Sequence, residues 1–354
     1  MVTSHPLDYL PDWGYWPYVS SPLGAWLLLA VVDPDPQVRR AAAALLSTPH
    51  PNIRLAAATW GRRELLDRLP VRSDRVSTGP VPDQAGADQW TSEQTDRRID
   101  RFPLRTVPQD ALVLASAVTA KTTWSSPLAT ISGDRLGGAF GAQIFQALLA
   151  TDTDADISAY RTPAGLMAAV RVKSIDPIAI VCVMPPVGTR PNVAIASAWD
   201  IAAATTRQPT RSKRVPWAAA GLEGHCWVSE PAARDSATAI LPAWEVRARH
   251  NITSATGFPD LAERVSLLFS PDERPVSMLA AQSAYAKFGR TGFEAAAVTA
   301  AAFRTSNMAA VPTGGLRTTV RFDRPFVAVA LATGPGPWAG VPLFAAEITE
   351  PVEA

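Results

Sequence analysis

Apolar runs near the start of the chain predict helices with clear start signals. Ser21-Pro22-Leu23 places a capping serine before a proline at the first helical position, and the apolar residues that follow predict a buried helix. The run Leu23–Val32 is far too short to cross a bilayer, so we expect no membrane partner. Asp33–Pro36 ends this helix, and Gln37–Leu46 has the mixed pattern of an amphipathic helix.

Shorter apolar runs, separated by turn residues, predict strands through the rest of the chain. The predicted strands are Ile53–Trp60, Ala111–Thr119, Gly165–Val172, Ile178–Met184, Leu241–Arg249, Arg324–Leu331 and Val341–Ile348. The predicted further helices are Asp88–Ile99, Val193–Thr205 and Phe258–Leu268, while Ser277–Phe288 fits either element and Arg72–Gly86 fits an irregular connection. With no internal repeat and no long linker, the pattern predicts one mixed α and β domain over residues 1–354.

The composition supports a folded protein without a strongly charged surface. The chain has 354 residues, 47% of them hydrophobic and 18% charged, with a formal net charge of +1. Such a chain can bury a large core and is not typical of disorder. The basic pair Lys213-Arg214 fits a solvated loop, so we expect no nucleic-acid partner. The many Arg and Ala residues suggest a bacterial source with a GC-rich genome.

The cysteines and the N-terminus bear on the cellular compartment. Cys182 and Cys226 are too few for a disulfide scaffold, and Cys182 lies within an apolar run that is typical of a buried thiol. Met1–Asp12 lacks the apolar core of a signal peptide. We therefore expect a cytoplasmic protein.

The sequence shows none of the common catalytic motifs. It lacks a nucleophile-elbow pattern, a Gly-rich phosphate loop and a metal-spaced set of Cys and His. His225 stands beside Cys226, but side chains adjacent in sequence rarely face one another, and in a strand they point to opposite faces, so the pair does not indicate a base and its nucleophile. We expect no enzyme activity, no metal and no cofactor.

The segment Thr291–Ala302 combines a glycine, an acidic residue and a run of alanines. Helix propensity alone would make it helical. It also resembles the reactive-loop hinge of the serpins, where small side chains suit a segment that must enter between existing strands. Further segments resemble serpin landmarks in the family's order, and they are Val19–Leu23, Ala87–Thr95, Leu112–Thr119 with Lys121 and Trp124, Leu241–Trp244, Arg321–Phe326 and Leu343-Phe344.

The resemblance implies an α+β, single-domain serpin fold. It has a large central, mostly antiparallel sheet, further sheets, surrounding helices and an exposed reactive-centre loop within residues 290–320. It implies a monomeric suicide-substrate inhibitor that traps a serine protease, or secondarily a cysteine protease, by inserting its cut loop into the central sheet. The implied hinge is Gly292, Phe293, Glu294, Ala295, Ala296, Ala297, Val298 and Thr299; the implied scissile region is Thr305, Ser306, Asn307 and Met308; and the implied sheet-opening region is Ser21, Ser116, Lys121, Trp124 and Gln282.

Several positions depart from the family pattern. The chain before Trp90 is short by several helical turns, which fits the loss of helix D, so no heparin-type polysaccharide is expected. Ser116 and Gln282 stand where the family usually has Asn and His, and Arg290 replaces an acidic residue. Phe293 replaces Thr or Ser, and its bulk would slow the first step of insertion.

Two functions and two cut sites stay open at this point. The departures at the hinge also fit a non-inhibitory serpin-fold protein with a binding or chaperone-like role. Arg304 and Arg317 offer sites for a trypsin-like protease, whereas the family's usual spacing from Gly292 leads to Ser306, which suits elastase- or subtilisin-like proteases.

Overall fold

The computed structural model describes residues 18–69, 76–107, 110–205, 211–221, 223–267, 278–294 and 314–354. Its strands are β1 Val19–Ser20, β2 Ile53–Gly61, β3 Val76–Gly79, β4 Leu112–Ala120, β5 Thr122–Thr123, β6 Ala129–Ser132, β7 Gln146–Thr151, β8 Ala155–Thr162, β9 Gly165–Val172, β10 Ile178–Met184, β11 Lys213–Val215, β12 Trp227–Ala232, β13 Ser236–Leu241, β14 Trp244–Asn251, β15 Ala281–Phe288, β16 Gly292–Glu294, β17 Gly315–Arg321, β18 Phe326–Ala332 and β19 Pro342–Ile348. Its α-helices are α1 Pro22–Ala30, α2 Pro36–Ser47, α3 Arg63–Leu66, α4 Gln84–Gln94, α5 Gly138–Gly141, α6 Pro191–Thr205, α7 Trp217–Ala220 and α8 Phe258–Ser266.

The first helix begins where its capping residue predicts. The Ser21 hydroxyl accepts a hydrogen bond from the Gly24 amide at 3.2 Å, and this bond satisfies one of the free amides at the start of α1. The Asp35 carboxylate caps α2 in the same way. Helix α4 begins four residues before the predicted start, because Asp83 caps it through the Gly86 amide.

Contacts divide the chain into two compact units. Unit 1 comprises Met1–Ala120, Arg247–Tyr285 and Ala332–Ala345, and unit 2 comprises Lys121–Val246, Ala286–Leu331 and Ala346–Ala354. Strands β14, β15, β18 and β19 each contribute residues to both units. The expectation of a single domain over residues 1–354 stays a prediction.

Unit 1 contains a three-stranded sheet in the order β3-β2-β4. Strands β2 and β4 are antiparallel from Ile53 opposite Ala120 to Gly61 opposite Leu112, and β3 runs parallel to β2. The prediction of an irregular connection is therefore wrong for β3. Helix α4 packs on this sheet through Trp90, whose ring centroid lies 5.2 Å from that of Trp60.

Unit 2 contains strands of three sheets. Five strands of the largest sheet, which has seven, lie here in the order β18-β10-β9-β8-β11. A five-stranded sheet has the order β12-β17-β13-β7-β6, and a four-stranded sheet has the order β14-β15-β16-β5. The predicted single strand Leu241–Arg249 is two strands in different sheets, broken at Pro242, which has no amide hydrogen for a sheet ladder.

These elements confirm the α+β class and the presence of several sheets, the largest of them with antiparallel pairing between β8, β9 and β10. The segment that fits either element is strand β15. In the part of the chain that the structure describes, no helix is long and apolar enough to cross a membrane.

Candidate functional site

The first residues of the predicted hinge form a strand inside the four-stranded sheet. Gly292 and Phe293 lie antiparallel to Thr123 and Thr122 of β5 on one side, and Phe293 lies opposite Phe288 of β15 on the other. Strand β16 therefore pairs on both of its edges. The hinge begins as a short central strand.

The ring of Phe293 fills an aromatic cluster in unit 2. Phe293 is 3% exposed, and its centroid lies 6.1 Å from that of Trp244. The ring of Trp244 stacks on that of Phe288 with centroids 5.7 Å apart, and the centroid of the Trp124 ring lies 5.2 Å from that of Phe288. The ring has thus already left solvent, so the expectation that it must enter the sheet when the loop inserts does not hold.

The turn that leads into the hinge strand is held by β5 and the residues after it. The Trp124 indole nitrogen donates to the Gly289 carbonyl at 2.9 Å, and the Trp124 amide donates to the Thr291 carbonyl at 3.0 Å. Arg290 exchanges two bonds with Leu128: its Nε donates to the Leu128 carbonyl at 3.1 Å, and its carbonyl accepts from the Leu128 amide at 2.8 Å. The arginine that replaces an acidic residue therefore holds the turn in place.

Glycine is required at the entry to β16 because the neighbouring backbone lies very close. A Cβ on Gly292 would lie 2.3 Å from the Thr122 carbonyl oxygen, well inside any real contact distance. At Gly289, on the other side of the turn, a Cβ would meet no atom within 4 Å. The glycine at this position of the predicted hinge is therefore needed for a steric reason, because the Thr122 carbonyl leaves no room for a Cβ on Gly292.

Strand β5 is itself positioned by a carboxylate that the sequence did not single out. Asp176 Oδ2 accepts hydrogen bonds from the Thr123 amide at 2.8 Å and from the Thr122 hydroxyl at 3.2 Å. Thr122 is 1% exposed and pairs with Phe293. A lone Asp after a strand carries no sequence signal for this role, because the contact spans more than fifty residues.

Three of the five predicted sheet-opening residues converge in unit 1, around the start of α1. The Gln282 side chain binds both backbone groups of Ser21: Oε1 accepts from its amide at 2.8 Å, and Nε2 donates to its carbonyl at 2.9 Å. The Ser21 hydroxyl donates to the Leu343 carbonyl at 2.7 Å. The Ser116 hydroxyl donates to the Gly24 carbonyl at 2.7 Å. Gln282 and Ser116 thus tie β15 and β4 to the same turn of helix.

Beside this polar cluster, two strand edges carry no partner among the described residues. Strand β4 pairs with β2 and with no other described strand. On β15, the pairing with β16 covers Lys287 and Phe288, and the edge from Ala281 to Ala286 has no described strand beyond it. Both edges could therefore accept hydrogen bonds from an added strand.

The remaining predicted site residues divide into two groups. Lys121 is exposed at the junction of β4 and β5, and Trp124 is buried beside the hinge turn in unit 2. The hinge residues Ala295–Thr299 and the scissile region Thr305–Met308 lie outside the described residues.

The pair His225 and Cys226 lacks the properties of a catalytic dyad. Burial raises the pKa of the Cys226 thiol to about 12, so the thiol stays protonated at neutral pH and is a poor nucleophile. Burial also lowers the pKa of His225, whose Nε2 lies 3.2 Å from the Leu166 carbonyl oxygen. Within the described ranges, no cluster of three His, Cys, Asp or Glu side chains could hold a metal ion.

Comparison with known proteins gives matches in structure and none in sequence. No family model and no curated protein matches the chain. The structure is similar to that of the thermophilic serpin Tengpin in its native state, with a TM-score of 0.60 and 14% identity over 98% of this chain and 93% of that one. It is also similar to human thyroxine-binding globulin with bound thyroxine, with a TM-score of 0.57 and 13% identity over 99% and 98% of the chains.

A third similar structure is Serpin48 of the insect Tenebrio molitor, with a TM-score of 0.53 and 14% identity over 98% of this chain and 94% of that one. Serpin48 is a highly specific serpin. At these identities the likeness concerns the fold. This chain has the serpin fold over nearly its whole length.

Proposed function

We propose that this protein is a serpin-type suicide-substrate inhibitor of a serine protease. The observation that supports the proposal is the short strand β16, whose hinge residues pair with strands on both sides. The edges of β15 and β4 that would receive a longer strand have no strand partner among the described residues. A cut loop could continue β16 along those edges.

The chemistry belongs to the protease, and the inhibitor acts as its substrate. The protease serine attacks a carbonyl in the loop; the peptide C–N bond breaks, the amine leaves with the proton, and an ester joins the loop to the serine. Insertion of the freed loop then carries the attached protease along the fold. If its oxyanion hole and triad lose alignment, water cannot hydrolyse the ester, and the protease stays trapped.

The lengths of the receiving strands support a cut near Ser306. If the register of β16 on β5 continues along β4, the first residue of β4, Leu112, lies opposite residue 303. A cut beyond residue 303 frees enough chain to pair with the whole of β4. The region Thr305–Met308 satisfies this condition, and its small or medium side chains suit an elastase- or subtilisin-like protease.

A non-inhibitory binding protein is the second candidate. Human thyroxine-binding globulin, with bound thyroxine, has a similar structure, so the fold by itself does not require protease trapping. The hinge also departs from the family at Phe293 and Arg290, both of which have structural roles here. In this alternative the loop is cut as an ordinary substrate.

The free, buried cysteines Cys182 and Cys226 are consistent with action in the reducing cytoplasm. In that setting the partner would be an intracellular protease, and the protein would act as a monomer. We propose no heparin-type polysaccharide, nucleic acid or membrane partner.

A protease panel tests the proposal. The purified protein is mixed at equal concentration with trypsin-, elastase- and subtilisin-like proteases, and the products are separated on a denaturing gel and weighed by mass spectrometry. We expect an adduct whose mass is that of the protease plus the inhibitor without its C-terminal fragment. The same proteases with the catalytic serine blocked are the control. Cleavage within residues 304–317 by several proteases without any adduct would contradict inhibition and favour a binding protein.

A further inference from the structure

Strand β17, which follows the predicted loop, is paired on both of its edges. It lies between β12 and β13 in the five-stranded sheet, and all three strands belong to unit 2. Its antiparallel pairing with β12 covers residues 315–320, and its parallel pairing with β13 covers residues 317–321. Arg317, one of the two arginines that offer a trypsin-like cut site, therefore lies inside a central strand.

The backbone amides of β17 alternate between its two neighbours. The Arg321 amide donates to the Cys226 carbonyl, directly before β12, at 2.8 Å, and the Phe322 amide donates to the Ile240 carbonyl of β13 at 2.9 Å. Successive amides along a strand point to opposite sides, so the odd-numbered amides of β17 point towards β12 and the even-numbered ones towards β13. Strand β12 is therefore the neighbour towards which the Arg317 amide points.

Two side chains of β12 fit this pairing. Pro231 lies opposite Leu316, an even-numbered residue, so the amide hydrogen that proline lacks would point away from β17 and the ladder loses no bond. Ser229 lies opposite Thr318, and their buried hydroxyl oxygens are 2.7 Å apart. Separating the two strands would break this hydroxyl pair, which adds to the cost of opening them.

The start of β12 is anchored within unit 2. The Trp227 ring packs against that of Trp217 in α7, with centroids 5.7 Å apart. It also lies on the backbone of Gly224, where a Cβ would come within 2.2 Å of the ring. The His225 carbonyl accepts a hydrogen bond from the Arg324 guanidinium, three residues beyond the end of β17. These contacts hold β12 beside β17.

Exposure of the side chain and access to the peptide bond differ at Arg317. Its side chain is exposed, which by itself would favour a trypsin-like protease. The next residue, Thr318, is 0% exposed, and both residues have strand partners on both sides. A protease pairs with the backbone of an extended segment, and it cuts exposed loop tips first. To cut after Arg317, it must first separate β17 from at least one neighbour.

We infer that β12 shields the peptide bond between Arg317 and Thr318, and thereby restricts the class of protease that can cut this chain. The inference rests on the proposed function for the choice of the loop as the substrate segment. The only Lys or Arg between Glu294 and β17 is Arg304, which lies outside the described residues. A trypsin-like protease is thus left with Arg304, and the residues from Gly315 onwards belong to the folded sheet.

Limited proteolysis by trypsin tests this inference. Wild type, Val228→Pro and Val228→Ala are incubated with trypsin under native conditions, and mass spectrometry follows the fragment that begins at Thr318. Val228 lies opposite Thr319, so Val228→Pro removes an amide that points towards β17, and both variants lose the same exposed side chain. We expect cleavage after Arg317 to be about 10- to 100-fold faster in Val228→Pro than in the other two proteins, because opening must precede the cut.

Two further measurements support the comparison. A peptide of residues 312–322 is the positive control and should be cut rapidly after Arg317. Circular dichroism verifies that each variant is folded. Ser229→Ala, which removes the buried hydroxyl pair, takes the place of Val228→Pro if that variant does not fold, and it should speed the cut by about tenfold.

Amide hydrogen exchange of wild type tests the same pairing without a substitution. The amides of Arg317 and Thr319 point towards β12, and those of Thr318 and Val320 point towards β13. We expect all four to exchange slowly and at similar rates. Fast exchange at Arg317 and Thr319 alone would show that β12 separates from β17 while β13 stays paired, and it would refute the shield.

The outcomes of the proteolysis experiment are also decisive. Cleavage of native wild type after Arg317 as fast as cleavage of the peptide would refute the shield. A folded Val228→Pro that resists trypsin as well as wild type does would refute the role of β12, and equal cleavage of Val228→Ala and Val228→Pro would refute the role of the amide bond. None of these measurements involves a trapped protease, so the inference and the proposed function can fail separately.

Discussion

Replacing the buried hinge phenylalanine should destabilise the protein equally before and after cleavage. Phe293 is 3% exposed and packs against Trp244 in the uncut protein, and a longer inserted strand would leave it in the same place. Truncating a buried Phe to Ala costs about 3–5 kcal/mol. Unfolding entropy near 2.1 cal/mol/K per residue gives a chain of 354 residues roughly 0.7 kcal/mol per degree, so Phe293→Ala should lower the melting temperature by about 4–7 °C.

The assay is thermal unfolding of uncut and cleaved protein, for wild type and Phe293→Ala. We expect the substitution to lower the melting temperature by a similar amount in both forms. The difference in melting temperature between cleaved and uncut protein should then be the same for wild type and Phe293→Ala. Phe145→Ala is the matched control, because the Phe145 ring is 88% exposed and its loss should change the melting temperature by less than about one degree. The number of inhibitor molecules consumed per trapped protease should also be unchanged in Phe293→Thr, since the ring has no entry step to slow.

The reasoning is refuted by a drop that appears in the cleaved protein alone. Such a result would mean that the Phe293 ring becomes buried during insertion, and its bulk would then oppose trapping. The same conclusion would follow if the Phe293→Thr variant needed fewer inhibitor molecules per trapped protease than wild type.

Two further substitutions test other parts of the structure. Gly292→Ala should lower the melting temperature and speed the amide exchange of Phe293, because the new Cβ would lie 2.3 Å from the Thr122 carbonyl oxygen. Gly289→Ala is the control and should change neither quantity, because a Cβ there would meet no atom within 4 Å. Equal behaviour of the two variants would refute the steric argument. Burial lowers the pKa of His225, so the folded protein binds a proton at this imidazole less tightly than the unfolded chain does. Protonation therefore favours unfolding, and the free energy of unfolding decreases as the pH falls below about 6.5. His225→Gln should therefore show a smaller fall in melting temperature between pH of about 7 and 5, and an identical fall would exclude His225 as a cause.

Local sequence signals predicted the elements that depend on local chemistry. Ser21 caps α1 where the sequence predicts, and the apolar run Ile178–Met184 is a fully buried strand. The sequence also predicts the buried cluster at Ser21, because the resemblance places Ser116 and Gln282 together in the sheet-opening region. The sequence does not predict the hydrogen bonds of this cluster, because Gln282 binds the backbone of Ser21 across 261 residues of chain.

The hinge shows why long-range pairing decides what local propensity cannot. An acidic residue followed by alanines favours a helix on propensity. In the structure, Gly292–Glu294 is a strand, because β5 and β15 offer free edges on both sides and Gly292 lets the backbone approach Thr122 closely. Phe293 looked like an obstacle to insertion when its position was judged by family comparison alone. Once its partners are known, the same ring is seen to be part of the buried aromatic cluster of Trp244 and Phe288, and it pairs β16 with β15.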